Sequence, residues 1–442
     1  MSEITPMKRS IKTWLLSLTL SLFAMTSAQA LDIQTWETDN GVKVLFVESH
    51  DLPMVDVRLS FKAGSSRDGS QYGISRLVNA LLVEGSGELN AEQIAQGFES
   101  TGAELGHDSL RDMAWVTLRS LSDKALLAKT TDLFARVVAQ PSFPQDAIDR
   151  DRNSMLIGLE SRAKEIGDVV EDAFFEHLYQ GHPYQVGQHG QAETLKALKR
   201  DDLLHFHQRY YVGKNATLAL VGDLSLQQAK SYARALTRYL PAGEPAAGIP
   251  PGPIPDKGKT VTIAFKTTQT HIMQGMPVMS RKDDDYFPLY VGNHILGGSG
   301  FSSRLMQEIR ENRGLVYSVY SYFLPMENTG PFEMALQTRN NQASQAGDLL
   351  QQMLETFIEQ GPTADELEHA KKNITGGFPL KIDSNKKIVE YLALIGFYDL
   401  PLDYLDRFND RVMAVSIDDI KDAFARRVKP ERMIRIVVGE PS

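Results

Sequence analysis

A chain of 442 residues is long enough for two or more core-forming units, and 42% hydrophobic with 23% charged residues fits an ordinary globular protein. A formal net charge of −9 leaves no cationic surplus and argues against a nucleic-acid partner. With no cysteine, disulfides, thiolate-ligated zinc and a thiol nucleophile are excluded.

The first element is an export signal. Lys8, Arg9 and Lys12 precede an apolar run from Trp14 to Met25, and Ala28-Gln29-Ala30 places small residues at the −3 and −1 positions before Leu31. This is the layout of a secretory signal peptide, and its apolar run is too short to span a membrane comfortably. Residues 1–30 are expected to be removed after Ala30, leaving an exported, periplasmic protein with no stable membrane span.

Strands are expected at residues 42–49 and 54–64. The stretch YGISRLVNALLVEGSGE, residues 72–88, then reads as an amphipathic helix. Ile74, Leu77, Val78, Leu81 and Leu82 keep the spacing of a buried face, and Gly85, Ser86 and Gly87 end it. The other face offers Ser75, Arg76 and Asn79, none a strong metal ligand. Further strands follow, then long helices at 124–140 and 146–180. RYYVGKNATLALVGDLS, residues 209–225, closes this half with a strand.

LPAGEPAAGIPPGPIPDKGK, residues 240–259, is dense in Pro and Gly and lacks apolar periodicity. It reads as a linker. The expected division is residues 31–240, a linker at 241–258, and residues 259–442. The second half repeats the plan, with strands at 259–268 and 270–278, a helix at 286–296, and long helices at 341–360 and 364–378. It closes with RRVKPERMIRIVVGEPS. Similarity at a period of roughly 200 residues points to duplication of one unit; solenoid repeats run at about 20–50.

Motifs for most chemistries are missing. No H-E-x-x-H, H-x-x-E-H, G-x-S-x-G, P-loop or helix-opening G-x-G-x-x-G occurs. Among ten histidines, His177, His182 and His189 fall around a Gly-Pro loop and His205 and His207 lie on a helix. Their spacing does not build a metal site. In LGGSGFSSRLMQEIRENRGLVYSVYSYF, residues 296–323, Ser302 or Ser303 reads as a helix cap. Leu305, Met306 and Ile309 form a buried stripe, and Arg310 and Arg313 sit at the helix end. RGLVYSVYSYF then alternates, with Leu315, Tyr317 and Val319 expected on one face.

On these two stretches the chain resembles the M16 family of zinc metallopeptidases, the mitochondrial-processing-peptidase and pitrilysin-like group. The likeness runs from about Leu31 to the C-terminus. LGGSGFSSRLMQEIRENRGLVYSVYS is similar to the family's L-G-G-x-x-S-S-R-L-x-x-x-I-R-x-x-x-G-x-x-Y-S signature. GISRLVNALLVEGS stands where active members carry G-x-x-H-x-x-E-H, and GHPY is also typical. The resemblance places Ser75, Val78 and Asn79 at the two zinc-binding His positions and the catalytic Glu between them. A hydroxyl and an amide are poor zinc ligands, and valine cannot take a proton. The third ligand would fall near Ile157 or Gly158, with Glu160 close but out of register.

The family's Arg/Tyr pair, which contacts the substrate backbone near the scissile bond, matches Arg310 and Tyr317. Ser302, Ser303, Arg304 and Gly314 would bind substrate with them and position them. The resemblance implies an α+β fold of two homologous units, each a mostly antiparallel sheet with helices packed on one face, together forming a bowl. It also implies a division of labour, with no cofactor in this chain and zinc in a homologous H-x-x-E-H partner. The expected function is a non-catalytic, peptide-binding subunit of an exported heterodimeric peptidase. The alternative is a structural, core-protein-like scaffold.

Overall fold

The computed structural model describes residues 31–440; the expected signal peptide lies outside them. Period-two alternation builds the first sheet. Along the strand Met54–Phe61, Val55, Val57, Leu59 and Phe61 enter the core, while Asp56, Arg58 and Ser60 turn to the opposite face. Six strands lie in the order Gln34–Glu37, Lys43–Glu48, Ala216–Gly222, Met54–Phe61, Ala114–Leu121, Glu104–Ser109. Only Lys43–Glu48 and Ala216–Gly222 are parallel neighbours.

The second sheet has five strands, in the order Lys259–Ala264, Ile434–Gly439, Gln269–Met279, Gly330–Arg339, Val316–Phe323. Its one parallel pair is again the opening strand beside the closing strand. Apart from the extra edge strand Gln34–Glu37, both sheets therefore place opening, closing, second and hairpin strands in the same order. Residues 241–258, between the sheets, form no helix or strand. They are tied down by Arg67 Nη1 donating to the Ala247 carbonyl (2.5 Å), Asn328 Nδ2 to that of Ile249 (2.7 Å) and His182 Nε2 to that of Pro250 (2.9 Å).

Helices from the same half cover one face of each sheet, as expected. The other face takes a helix from the opposite half. Asn385–Phe397 lies across Ala216–Gly222, Met54–Phe61 and Lys43–Glu48. Reciprocally, Ile166–Leu178 lies on Ile434–Gly439 and Gln269–Met279 and buries Val170, Phe174 and Phe175 there. Two glycines allow the close approach. A Cβ on Gly396 would stand 2.4 Å from Leu45 Cδ1, and one on Gly275 would stand 2.9 Å from Phe174 Cζ.

This exchange explains one departure from the sequence reading. The helix expected at 146–180 is two helices, Gln145–Arg162 and Ile166–Leu178. The first stays with its own half, and the second must turn toward the other sheet. Arg162 holds the corner through Asp168 (2.5 Å) and Asp172 (2.8 Å). No helix among the described residues is long and apolar enough to cross a membrane.

Candidate functional site

The helix Ile74–Leu81 buries Ile74, Leu77, Val78 and Leu81 against the first sheet. Its N-terminus is held by Asp68, whose carboxylate accepts the N–H of Gly73 (2.7 Å) and of Ser75 (3.1 Å). Burial pushes the Asp68 carboxyl up to about 7.

Ser75 and Asn79, read from sequence as the outer face, are buried as well. Asn79 Nδ2 donates to the Trp115 carbonyl (3.2 Å) and the Tyr211 hydroxyl (3.4 Å), and Asn79 Oδ1 accepts from His107 Nδ1 (3.2 Å). The amide is thus committed to the fold. Burial lowers the His107 pKa, favouring the neutral ring.

The region of the third ligand offers no more. Ile157 is 67% exposed, Glu160 faces solvent, and Gly158 lines a groove of about 420 Å³ with Arg76, Asp151 and His189. Burial, with Arg162 and Arg76 nearby, pushes His189 down to about 4. Among the described residues no group of three or more His, Asp or Glu is placed to hold a metal ion. Counted from Gly73, G-x-x-H-x-x-E-H falls on Arg76, Asn79 and Ala80, one residue beyond the expected set Ser75, Val78 and Asn79, and Arg76 and Ala80 line the same groove as Gly158. A guanidinium, a committed amide and a methyl group do not fit zinc. His182 braces the linker, and His207 donates from Nε2 to the Val138 carbonyl (2.8 Å).

The second stretch builds an open site. Leu305, Met306 and Ile309 bury one side of the turn-and-helix segment, and residues Met306–Asn312 wind as a π-helix. Such wider turns often mark functional positions. Gly314 (φ +62°) reverses the chain, with Gly314 N–H donating to the Arg310 carbonyl (2.9 Å) and Leu315 N–H to that of Ile309 (3.0 Å). The chain then enters the edge strand Val316–Phe323.

Strict alternation predicted Tyr317 on the face of Leu315 and Val319, both of which are buried. Instead the register with Gly330–Arg339 slips between Val316 and Ser318. Tyr317 is the extra residue of a β-bulge and is 52% exposed. Arg310 lies at the other end of the turn, its guanidinium 5.0 Å above the exposed Phe301 ring and 3.3 Å from Glu311 Oε1. Arg313, by contrast, is held by Glu308 (2.7 Å).

The neighbours expected to bind substrate are structural in their contacts. Arg304 grips both Glu366 oxygens (2.5 Å each) and the Gly361 carbonyl (3.1 Å), its guanidinium 5.1 Å from the Phe357 ring centre. It braces the segment against the helix Ala364–Gly377. Ser303 is the buried cap, accepting the Met306 N–H (3.4 Å) and donating to the Gly300 carbonyl (2.7 Å). Ser302 is exposed and donates to the Ser299 carbonyl (3.2 Å).

Sequence reasoning missed a polar seam between the halves. Asp112 accepts the Tyr184 hydroxyl (2.8 Å), the Tyr398 hydroxyl (2.9 Å) and the Glu327 N–H (2.6 Å). Burial raises its pKa. Glu327 pairs in turn with Lys62 (2.7 Å) and Arg67 (3.1 Å). Only Tyr184 carried a signal, within GHPY.

Residues 43–189 match the family model described as insulinase (peptidase family M16), and residues 197–374 match the one described as peptidase M16 inactive domain. The chain is similar to a solved peptidase M16 inactive domain from Pseudomonas fluorescens, 39% identical over 93% of this chain and 99% of that one, with a TM-score of 0.90. It is also similar to a non-peptidase homologue, YmxG, of Helicobacter pylori, 28% identical over 93% of this chain and 95% of the relative. A protease structure from Helicobacter pylori shares the fold at a TM-score of 0.84 and 19% identity, covering 93% of this chain and all of that one. Built on this doubled sheet plan and stripped of the zinc donors on its first helix, the chain belongs to the M16 peptidase family as a homologue of the inactive type.

Proposed function

We propose that this chain is the non-catalytic, substrate-binding subunit of an exported heterodimeric M16 zinc peptidase. It lends Arg310 and Tyr317 to an active site whose zinc sits on a homologous H-x-x-E-H partner, and the pair cleaves unfolded peptides. The observation that carries the reading is the joint one: Arg310 and the outward-turned Tyr317 flank one tight turn, while the chain's own helix offers Arg76, Asn79 and Ala80 in place of ligands. A guanidinium and a phenol can donate to a peptide carbonyl and support the charge that develops on it. The exposed edge strand beside them can pair with an extended peptide through main-chain hydrogen bonds, which suits low sequence specificity.

Fluorogenic-peptide assays of this chain, of an H-x-x-E-H partner and of the mixture test the reading. Activity is expected only in the mixture, and the isolated chain should carry no stoichiometric zinc by metal analysis. Cleavage by the isolated chain with zinc of its own would overturn it. A mixture whose activity ignores loss of both Arg310 and Tyr317 would favour a scaffold.

A further inference from the structure

A cavity of about 340 Å³ lies between the two halves, away from the Arg310 turn, and three arginines line it: Arg58 and Arg111 from the first half and Arg281 from the second. None has a carboxylate within 4.0 Å among the described residues. The Nε atoms of Arg58 and Arg281 are buried without a hydrogen-bond partner. Arg111 has one long bond, to the Tyr184 carbonyl (3.4 Å), and Arg58 one weak contact, to Met113 Sδ (3.9 Å).

Acids act on them only from a distance, Glu390 and Asp108 on Arg58 and Glu171, Glu333 and Asp172 on Arg111. Asp112 also lines the cavity, but its oxygens already accept two tyrosine hydroxyls and a backbone N–H. Glu390 lies at the cavity with its charge in solvent. Burial depresses the pKa of Arg58 and Arg111.

Each guanidinium is instead oriented by an aromatic ring: Arg58 stands 4.1 Å from Trp115, Arg111 3.5 Å from Phe175 and Arg281 5.5 Å from Tyr398. Stacking holds the face of a guanidinium and leaves its in-plane N–H fork free. It offsets only part of what the charge loses on leaving water. Arg111 Nη2 lies 3.3 Å from where a Cβ on Gly187 would stand, and Gly187 and Phe175 line a separate groove with Asp172 and Glu176, so Arg58 and Arg281 are the pair left to this cavity for an anion.

The remaining walls are apolar, with Leu110, Met113, Leu324, Met326 and Leu394. A planar two-oxygen anion matches the arginine fork, and the apolar walls ask for a hydrocarbon body. The volume sits at the small end of ligand pockets, which run from roughly 300 to 1,000 Å³.

We propose that this inter-half cavity binds a monocarboxylate with a short apolar body, its carboxylate held by Arg58 and Arg281. Such a carboxylate has two sources: a free acid, or the C-terminal end of a peptide with an apolar last residue.

The test uses the whole mature chain, with calorimetry and thermal melting. The probes are octanoate and an N-acetylated dipeptide ending in leucine, against octanol, the dipeptide amide and inorganic phosphate. One or both carboxylates should bind with Kd at or below roughly 1 mM and raise the melting temperature, since a ligand of the folded state stabilises it. Octanoate alone binding identifies a free acid; the dipeptide alone identifies a peptide end. Arg281→Gln and Arg58→Gln should each weaken binding by about tenfold or more, the loss of a charge-assisted pair, with the circular dichroism spectrum unchanged. Should Arg58→Gln not fold, Arg281→Gln carries the test. The proposal fails if neither carboxylate binds, if octanol, the amide or phosphate binds as tightly, or if the folded variants bind like the parent chain.

Discussion

Asn293 and Ser321 exchange two hydrogen bonds: Asn293 Nδ2 donates to the Ser321 carbonyl (3.0 Å), and Ser321 Oγ donates to Asn293 Oδ1 (2.7 Å). Both are buried. The pair pins the middle of the Tyr317 strand to the segment that carries Gly297. A Cβ on Gly297 would stand 2.4 Å from Ser321 Oγ and 2.5 Å from its backbone N. Gly297→Ala is therefore expected to cost about 1–3 kcal/mol through overpacking, read as a lower urea midpoint. An unchanged midpoint would show that the strand can back away freely.

Arg310→Ala and Tyr317→Phe should each lower kcat of the mixed enzyme by about 10²-fold, the usual loss when one transition-state donor is removed. Because Tyr317 is half exposed and the Arg310 side chain 35% exposed, with only the adjacent Glu311 as its ion partner, the folding midpoint should move little. Equal losses of activity and stability would point to a structural role instead.

Arg304→Ala removes the fork to Glu366. That pair is partly exposed, at 23% and 31% of the two side chains, so the expected cost is modest, about 1 kcal/mol. Glu366 would keep its place in the capping box of Ala364–Gly377, where it accepts the Thr363 N–H (2.7 Å). Chemical denaturation measures the loss. Calorimetry of the variant with peptide should show affinity no weaker than its stability explains.

Glu333, 1% exposed opposite Tyr322, is held up at about 7 by burial. Asp68 is raised to about 7 for the same reason. Between the ordinary carboxyl range and pH 7 the folded chain keeps protons that the unfolded chain has lost. These two groups contribute stability that falls as pH rises from about 4 to 7, opposed over much of that window by His189 and His207, which burial holds down to about 4. Glu333→Gln removes one of the falling contributions, so relative to the parent chain it should gain about 1–3 kcal/mol at pH 8 compared with pH 5. Parallel profiles for parent and variant would contradict the assignment.

Much of the local structure was legible from residue order alone. Ile74, Leu77, Val78 and Leu81 announce a buried helix face by spacing, and a cap at Ser302 or Ser303 is readable from its neighbours. What spacing could not carry was contact across hundreds of residues. Nothing local tells that Ser75 and Asn79 are buried, because the partners of Asn79 are Trp115, His107 and Tyr211. Alternation misplaced Tyr317, since a bulge is a property of a strand pair. Arg304 looked available until Glu366 was found beside it. The unpaired arginines of the inter-half cavity are scattered over more than two hundred positions, so their convergence has no local trace.

The crossed helices have a further consequence. Cutting the connection near residue 250 would not release two self-sufficient bodies. The fragment ending there would lose the cover supplied by Leu392, Ile395 and Phe397, and the other would lose that supplied by Phe174 and Phe175. Each piece would show the solvent an oily sheet whose matching lid belongs to its sibling.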